Sequence, residues 1–459
     1  FLQAVQRVLL ERGQWDREFV AAHTDGFEAY REALLAADLD QLVARSGASR
    51  AQVDEFAELV GSARSAVFVW SMGLTQHGHG SDTVAAVCTL ALSQGFVGRE
   101  GCGLMPIRGH SGVQGGAEMG AYATCYPGGA PIDAVQADHL EARWGFRPPE
   151  CTGMDSAEMV EAALRRALDV FYLIGGNLRD TLPQPARVEQ ALGRVPVRIH
   201  QDIVLSHPML IDPSEAVYLL PARTRYEHRG GVTETTTERR VVFSPEVPGH
   251  AIEEAREEWW IPREIARAAW PERTPDLGLE DAAAIRREIS QVVPFYAGIE
   301  SLRAQGDQFQ WGGARLCEGG KFATPTGKAQ FEVSAVPEAR LASGELWMST
   351  RRGKQFNSIL QAWRDPLTGA DRDHVFMSSA DVAALGLCAD QEVFVESAHG
   401  SLQGRVFVAP ITPGNIQLHW PEANVLIAPD QKDPAGKVPD YNAAVRVGAL
   451  GRTPPQEQA

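Results

Sequence analysis

The stretch AEMVEAALRRALDVFYLIGGN, residues 157–177, decides the fold because an amphipathic helix is followed directly by a short apolar strand. The pattern predicts the helix over 157–168 and the strand over 169–177. A buried strand that ends in glycine is typical of the carboxyl edge of a parallel sheet, where ligand crevices open. SAVFVWSMG at 65–73 repeats this pattern, and 197–206 and 215–221 are further strand candidates. These segments predict doubly wound α/β structure.

The pattern changes beyond about residue 320. Segments 374–387, 392–411 and 414–421 are β-rich and separated by Gly and Pro turns, which predicts a separate C-terminal β-barrel-like domain. The composition at 270–281 and 335–345 is typical of linkers. We therefore expect a multidomain α/β protein with two α/β halves around a cofactor crevice and a barrel.

Composition excludes some classes of function. The chain has 459 residues, 44% of them hydrophobic, and a formal net charge of −16, which argues against nucleic acid as the main partner. No apolar run is long enough to span a bilayer and no secretory signal opens the chain. The six cysteines are scattered without a CxxC pair. These features predict a soluble, cytoplasmic protein with reduced thiols.

Residues 70–120 place an arginine inside a dense run of glycines and hydrogen-bonding side chains. Glycines let the backbone approach a ligand closely, and the donors suit a large anion. The candidate ligand-binding residues of this run are Gly73, Thr75, Gln76, His77, Arg108, Gly109, His110 and Gln114. A metal site at His77 and His79 is disfavoured, since no cysteine or carboxylate completes it at ligand spacing.

Two further groups are candidates for phosphate or base contacts. The first follows the strands of the second α/β region and comprises Gly175, Gly176, Asn177, Gln201 and Asp202. The second is a polar, cationic cluster at 349–357 that includes Ser349, Thr350, Arg351, Gln355 and Asn357. Each has an ordinary alternative, because glycine often ends a strand only to make a turn and basic clusters aid solubility.

Several blocks resemble the molybdopterin oxidoreductases, specifically the formate dehydrogenase alpha-subunit-like branch. They occur in the family's order and are GLTQHGHGSD at 73–82, GREGCGLMPIRGHSGVQG at 98–115, LPARTRYEHRGGVTETTTERR at 220–240, FATPTGKAQF at 322–331, and the C-terminal stretch from STRRGKQFNS at 349 through HWPEANVLI to VPDYNAAVRV ending at 447. The resemblance implies a molybdenum bis(molybdopterin guanine dinucleotide) cofactor.

The resemblance also implies residue roles. Arg108 aligns with an arginine that holds the substrate carboxylate beside the metal, and His110 could assist proton movement. Many formate dehydrogenases have glutamine at the position of His110, which puts formate itself in doubt. Apart from Arg108 and His110, the residues of the three groups above are implied to contact the cofactor, with Asn424, Tyr441 and Asn442 closing over it. Asp202 could accept from the N1 and N2 donors of guanine.

The resemblance divides the chain into four parts. They are an α/β cofactor-binding domain at 1–110, a second α/β dinucleotide-binding region at 111–222, the return segment of an iron–sulfur and connecting domain at 223–325, and a cofactor-binding barrel at 326–459. Relatives carry a [4Fe-4S] cluster and the metal ligand upstream of the matched region, so we interpret the sequence as a C-terminal fragment without metal ligands of its own.

The implied function is formate dehydrogenase-like two-electron oxidation of a small anionic substrate, with electrons passed to an iron–sulfur cluster and then to a partner subunit. Two alternatives stay open. The same cofactor could serve another substrate such as nitrate or an aldehyde. The chain could also be a degenerate, non-catalytic scaffold of an electron-transfer complex.

Overall fold

The computed structural model describes residues 1–110, 112–249, 251–273, 278–338, 341–353 and 362–451. The chain forms two compact units. Unit 1 comprises Phe1–Thr75, His79–Gly153 and Arg223–Val336, and unit 2 comprises Gln76–Gly78, Met154–Ala222 and Pro337–Ala459. The four-part division inferred from the sequence stays a prediction.

Both units contain helices and strands. The α-helices are α1 Leu2–Glu11, α2 Arg17–His23, α3 Phe27–Ala36, α4 Leu39–Ser46, α5 Arg50–Ser62, α6 Gly80–Ser93, α7 Val113–Glu118, α8 Ala134–Trp144, α9 Ser156–Leu164, α10 Leu178–Thr181, α11 Pro185–Arg194, α12 Trp260–Ala269, α13 Ala282–Val292 and α14 Ser379–Ala384. The strands are β1 Thr24–Asp25, β2 Val67–Trp70, β3 Gly103–Pro106, β4 Val170–Ile174, β5 Val197–Asp202, β6 Ala216–Pro221, β7 Val232–Thr235, β8 Arg240–Ser244, β9 Gln308–Gln310, β10 Ala329–Gln330, β11 Leu346–Arg351, β12 His374–Met377, β13 Glu392–Glu396, β14 Ser401–Val408, β15 Asn415–His419 and β16 Asn442–Ala449.

Unit 1 is organised around a helical core and a short parallel sheet. Apolar residues at helical spacing in α1 and α5 pack against Leu90 and Ala91 of α6, all of them buried. Strands β2 and β3 pair in parallel, with Val67 opposite Gly103 and Trp70 opposite Pro106. The antiparallel sheet β7-β8-β9 belongs to the same unit. The glycine-rich run at 70–120 begins at the end of β2 and contains β3.

The parallel sheet β4-β5-β6 of unit 2 follows from the 157–177 pattern. Helix α9 begins at Ser156 because Asp155 and Glu158 form a reciprocal capping box. Phe171 and Leu173 of β4 point to the same side of the strand and are buried against α9 and α11. Burial of each large apolar side chain stabilises the fold by about 1.5–3 kcal/mol.

The C-terminal part of unit 2 is a closed six-stranded barrel with the strand order β11-β15-β12-β14-β13-β16. Its core consists of alternating inward-facing residues, among them Met348, Val375, Val393, Ile416 and Val445, each with at most 1% exposure. Closure removes the free sheet edges that would otherwise present unpaired backbone groups.

The predicted fold class is therefore confirmed: α/β structure with a C-terminal barrel. The helix predicted over 157–168 ends at Leu164. The strand predicted over 169–177 spans Val170–Ile174, and it ends there because Gly175 and Gly176 adopt positive φ. Among the described helices, none combines the length and the apolar character needed to cross a bilayer.

Candidate functional site

In unit 1, the candidate residues gather at the carboxyl edge of the β2-β3 pair. The chain after β2 carries Gly73 and Thr75, and the chain after β3 carries Arg108, Gly109 and His110. The two connections are tied together, because Ser71 Oγ donates to the Ile107 carbonyl (2.9 Å) and the Ile107 N–H donates to the Trp70 carbonyl (2.7 Å). Parallel pairing thus brings together two segments more than thirty residues apart.

Arg108 is half-buried, and one Nη donates to the carbonyl of Pro106 at 2.8 Å. Within the described part of the chain, no carboxylate forms an ion pair with this guanidinium. His110 is exposed, two residues further along. A guanidinium without a carboxylate keeps its planar fork available for an anion.

Helix α6 begins directly after the loop that carries the Gly73–His77 residues. Its first residue, Gly80, is buried, and a Cβ at this position would overlap the backbone carbonyl of Thr75. The N-terminus of this 14-residue helix lies at the end of that loop. A helix N-terminus favours anions through the helix dipole, which agrees with the predicted role of the loop.

Gln114 lies on α7 and its amide donates to Glu118 one turn further along the helix. The same carboxylate accepts from Tyr296 Oη (2.5 Å) and Trp311 Nε1 (3.2 Å). In the observed geometry Gln114 therefore takes part in a buried network that attaches α7 to the rest of unit 1.

In unit 2, Gly175 and Gly176 follow β4 with φ of +68° and +83°, and no atom lies within 4 Å of a Cβ placed on either. The open space lets a ligand approach this backbone. Asn177 caps α10, since its Oδ1 accepts from the Asp180 N–H and its Nδ2 donates to the Asp180 carboxylate (2.7 Å). The Asn177 side chain thus shapes the turn.

Gln201 and Asp202 end β5 on opposite faces of the sheet. Gln201 is fully buried and accepts a short hydrogen bond from Tyr172 Oη. Asp202 is half-buried, and one carboxylate oxygen accepts from the Ile203 N–H at 2.7 Å, leaving the other oxygen for a ligand. Ser206, four residues later, has a buried hydroxyl without a hydrogen-bond partner among the described residues.

In the barrel, Ser349, Thr350 and Arg351 end β11 and are all half-buried. The Arg351 guanidinium lies 4.1 Å from the ring centroid of Phe376 and 3.7 Å from the Asp365 carboxylate. Burial lowers the pKa of Arg351, and Asp365 opposes that shift. Gln355 and Asn357 lie outside the described residues.

Arg352 belongs to the predicted cluster at 349–357, although the resemblance implies no cofactor contact for it, and it is more constrained than its neighbour. Its guanidinium stacks 3.6 Å from the Trp420 ring centroid and 5.0 Å from that of Tyr441, and it donates to Gln76 Oε1 at 2.9 Å. Burial lowers the pKa of Arg352 to about 10. One predicted residue, Gln76, is thus joined to the barrel, and His77 lies next to it. The pair of adjacent arginines at 351–352 is the sequence feature that indicates a role for Arg352.

The three residues predicted to close over the cofactor lie near one another in unit 2. Asn424 is fully buried, and its Nδ2 donates to the Asp180 carbonyl at 3.0 Å. Tyr441 Oη donates to the Thr181 carbonyl at 2.9 Å, and Asn442 Nδ2 donates to Asp440 at 2.8 Å. The first two residues join α10 to the barrel.

Several buried polar atoms in this part of unit 2 lack hydrogen-bond partners among the described residues. They are Arg351 Nε, both ring nitrogens of His419 and Asn424 Oδ1. His419 is 1% exposed, and burial, together with the charges of Arg351 and Arg372, lowers its pKa. A neutral imidazole offers one donor and one acceptor. Since unsatisfied buried groups are costly, these atoms fit a site whose polar ligand completes the hydrogen bonding.

Asp371, Asp373 and His374 form the one group with metal-ligand geometry in the described part of the chain. Arg405 bonds both carboxylates, and Arg364 pairs with Asp371 at 2.8 Å. The Asp371 N–H donates to His374 Nδ1, so a neutral His374 carries its proton on Nε2. The geometry fits an arginine–carboxylate network better than a cation site.

Unit 1 presents a half-buried arginine and the N-terminus of a long helix, and unit 2 presents two glycines beside open space, a half-buried aspartate and an arginine at the end of a barrel strand. These features suit a class of protein that binds an anionic, nucleotide-containing ligand. The family model described as "Molybdopterin oxidoreductase" matches residues 26–268. A second family model, described as "Molydopterin dinucleotide binding domain", matches residues 345–445. The chain belongs to the molybdopterin oxidoreductase family, and the predicted family membership is confirmed.

Similar proteins in other organisms include oxidoreductases and a formate dehydrogenase subunit. An uncharacterized oxidoreductase of Mycobacterium tuberculosis is 29% identical over 94% of this chain and 57% of its own length. Protein YdeP of Escherichia coli is 26% identical over 96% of this chain and 61% of its own length. The F420-dependent formate dehydrogenase subunit alpha of Methanocaldococcus jannaschii is 29% identical over 73% of this chain and 50% of its own length. This chain thus spans less than two thirds of these relatives.

Among solved structures, acetylene hydratase from Pelobacter acetylenicus has a TM-score of 0.69 and 15% identity, over 98% of this chain and 70% of that one. At this identity the likeness establishes the fold alone. The individual site residues stay predictions.

The acidic cluster leads to a pH-dependent prediction. Hydrogen bonds from Arg364 and Arg405 lower the pKa of Asp371 from 3.8 to about 2. Because the pKa of Asp371 is lower in the folded state than in the unfolded state, its ionised carboxylate stabilises the fold at a pH above the unfolded-state pKa. This stabilisation is lost as the pH falls through the folded-state pKa. We expect Asp371→Asn to lower the urea midpoint at pH 7, with the difference from wild type shrinking between about pH 4 and pH 2.

Asp390→Asn is the matched control, because Asp390 lies near His374 and Arg405 but is 75% exposed. It should change the midpoint little at any pH. A Zn²⁺-dependent rise in the wild-type midpoint that Asp371→Asn abolishes would instead support a metal site.

The turn before α6 leads to a second prediction. Gly80→Ala should lower stability by about 1–3 kcal/mol, because the added methyl overlaps the Thr75 carbonyl. Gly73→Ala, in the same loop with no atom within 4 Å of the new Cβ, should be nearly neutral. Urea unfolding measures both, and equal midpoints would show that the turn does not require glycine.

Proposed function

We propose that this chain forms part of a molybdenum-dependent oxidoreductase that carries out formate dehydrogenase-like, two-electron oxidation of a small anionic substrate. Family membership supports molybdopterin binding and oxidoreductase chemistry. The observation that carries the finer proposal is Arg108, a half-buried guanidinium at a strand end with a backbone carbonyl as its only hydrogen-bond partner among the described residues.

Unit 2 supplies groups that suit a guanine dinucleotide. Gly175 and Gly176 leave room for close backbone approach, and the free carboxylate oxygen of Asp202 can accept from a guanine edge. Arg351 and His419 have buried nitrogens without hydrogen bonds in the described structure, as phosphate or pterin oxygens would require. We infer that these residues hold the bis(molybdopterin guanine dinucleotide) cofactor.

In this proposal Arg108 attracts and orients the substrate carboxylate through its planar fork. His110 is exposed and can exchange a proton with the substrate or with water. The cofactor, when bound, supplies the two-electron redox chemistry, whereas the protein supplies orientation and electrostatics. We propose that a [4Fe-4S] cluster and an electron-transfer partner subunit receive the electrons.

The formate dehydrogenase relative from Methanocaldococcus jannaschii favours formate as substrate. The other relatives described above carry no substrate in their names, which favours keeping a different small molecule as the second candidate. Both candidates require the same cofactor and differ in the substrate that binds beside Arg108.

The cofactor proposal is tested on the native polypeptide that contains these residues, made in a host that synthesises molybdopterin guanine dinucleotide. We expect about one molybdenum and two guanine nucleotides per chain, with formate-dependent dye reduction on the same sample. Full cofactor content with no formate activity, but with nitrate or aldehyde turnover, would select the second candidate. A chain that carries neither metal nor nucleotide would instead be the non-catalytic scaffold.

The role of Arg108 leads to a separate prediction. Arg108→Ala should retain molybdenum and nucleotide but lose about 100-fold in kcat/KM, because the carboxylate loses a charge-assisted bidentate partner. Arg108→Lys, which keeps the charge without the fork, should fall between the two. Arg64→Ala, an exposed arginine just before β2, is the control and should turn over normally. Wild-type turnover in Arg108→Ala would remove this residue from the mechanism.

A further inference from the structure

Arg198 of β5 is fully buried, although it is one of the largest side chains in the chain. One Nη donates to the carbonyl of Pro208 at 3.0 Å, and the other donates a short hydrogen bond to the carbonyl of Ile211. No carboxylate forms an ion pair with it in the described parts of the chain. A buried charge whose hydrogen-bond partners are backbone carbonyls, with Asp212 acting on it only at longer range, is expensive, so packing alone does not explain it.

The two carbonyls belong to the loop 203–211, which follows Asp202 directly. This loop has limited apolar anchoring: Leu205 and Leu210 are more than 70% exposed, whereas Pro208 and Met209 are buried and Ile211 packs against the core of unit 2. Its 3-10 turn spans His207–Leu210, so Arg198 bonds both within and just beyond that turn. The guanidinium is thus one polar anchor of the loop, and the hydrogen bond between His207 Nδ1 and Asp180 Oδ2 (2.6 Å) is another.

Two groups are available to the proposed nucleotide: Asp202, directly before the loop, and Ser206, within it. The Asp202 carboxylate accepts from the Ile203 N–H, which links its orientation to the start of the loop. Ser206 has a buried hydroxyl without a partner in the described structure. A shift of about 1 Å in such a loop is enough to weaken directional hydrogen bonds.

We infer that Arg198 is a positioning residue for guanine recognition, which fixes the loop 203–211 so that Asp202 and Ser206 meet the N1–H and N2–H edge of the base. The inference rests on the proposed function, because it takes the guanine dinucleotide as the ligand of this edge. Arg198 itself touches no ligand in this scheme.

The test uses the native polypeptide purified without cofactor, with GDP and IDP as probes. IDP lacks only the N2 amino group, so the ratio of the two Kd values reports how well the carboxylate reads that group. Wild type should prefer GDP by about tenfold or more, as expected for one hydrogen bond to a charged acceptor. Hydrogen–deuterium exchange of residues 203–211 reports the anchoring independently.

Arg198→Lys keeps the charge but cannot span both carbonyls, so exchange in 203–211 should rise and the GDP preference should fall towards one. Arg198→Gln, which buries no charge, covers the case in which the lysine variant fails to fold. Arg194→Lys is the control: Arg194 also donates to a backbone carbonyl, that of Leu164 at 2.6 Å, but outside this loop. It should leave both readouts unchanged.

Asp202→Asn separates this inference from the proposed function, because it should abolish the GDP preference without raising exchange. Unchanged exchange in Arg198→Lys would overturn the anchoring. Increased exchange with an intact GDP preference would make Arg198 purely structural and overturn the inference while the proposed function stands. Absence of any preference in wild type would sink both the guanine assignment of Asp202 and the inference that rests on it.

Discussion

Parallel strand pairing is the constraint on which the rest of the candidate site depends. Parallel strands end at the same edge, so the connections that follow them must open side by side. In unit 1 this places the Arg108 loop beside the loop after β2, and in unit 2 it places Gly175 beside Asp202. Backbone pairing is therefore enough to make neighbours of residues that are far apart in sequence.

The backbone-level features were predictable from sequence. A short apolar run that ends in Gly175 and Gly176 has few structural alternatives to a buried strand followed by a turn. The apolar residues demand burial, and the glycines permit the positive φ that ends the strand. The barrel was predictable as a class from alternating β segments. Its strand order was not, because the order depends on pairings between segments up to about a hundred residues apart.

Side-chain roles were harder to predict, since they depend on which face a residue occupies and on what it already binds. Gln201 and Asp202 look equivalent in sequence, but strand alternation buries the first against Tyr172 and leaves the second half-exposed. Asn177 was predicted to bind the cofactor, and its side chain is occupied in capping α10. Arg351 and Arg352 show the same alternation of successive side chains, since Arg351 lies over Phe376 while Arg352 stacks on Trp420.

The polar groups of unit 2 thus fall into two kinds with different physical meaning. Arg352, Tyr441 and Asn177 each hydrogen-bond to other groups of the protein, so they help to shape the site whether or not a ligand is bound. His419 and Asn424 have buried atoms that the described protein leaves unsatisfied, a state that costs about 1–3 kcal/mol for each group. Ordered water or a ligand can recover this cost. Such atoms occur in both units of the described structure, so they indicate a ligand where they coincide with the family-like blocks, as His419 and Asn424 do within HWPEANVLI.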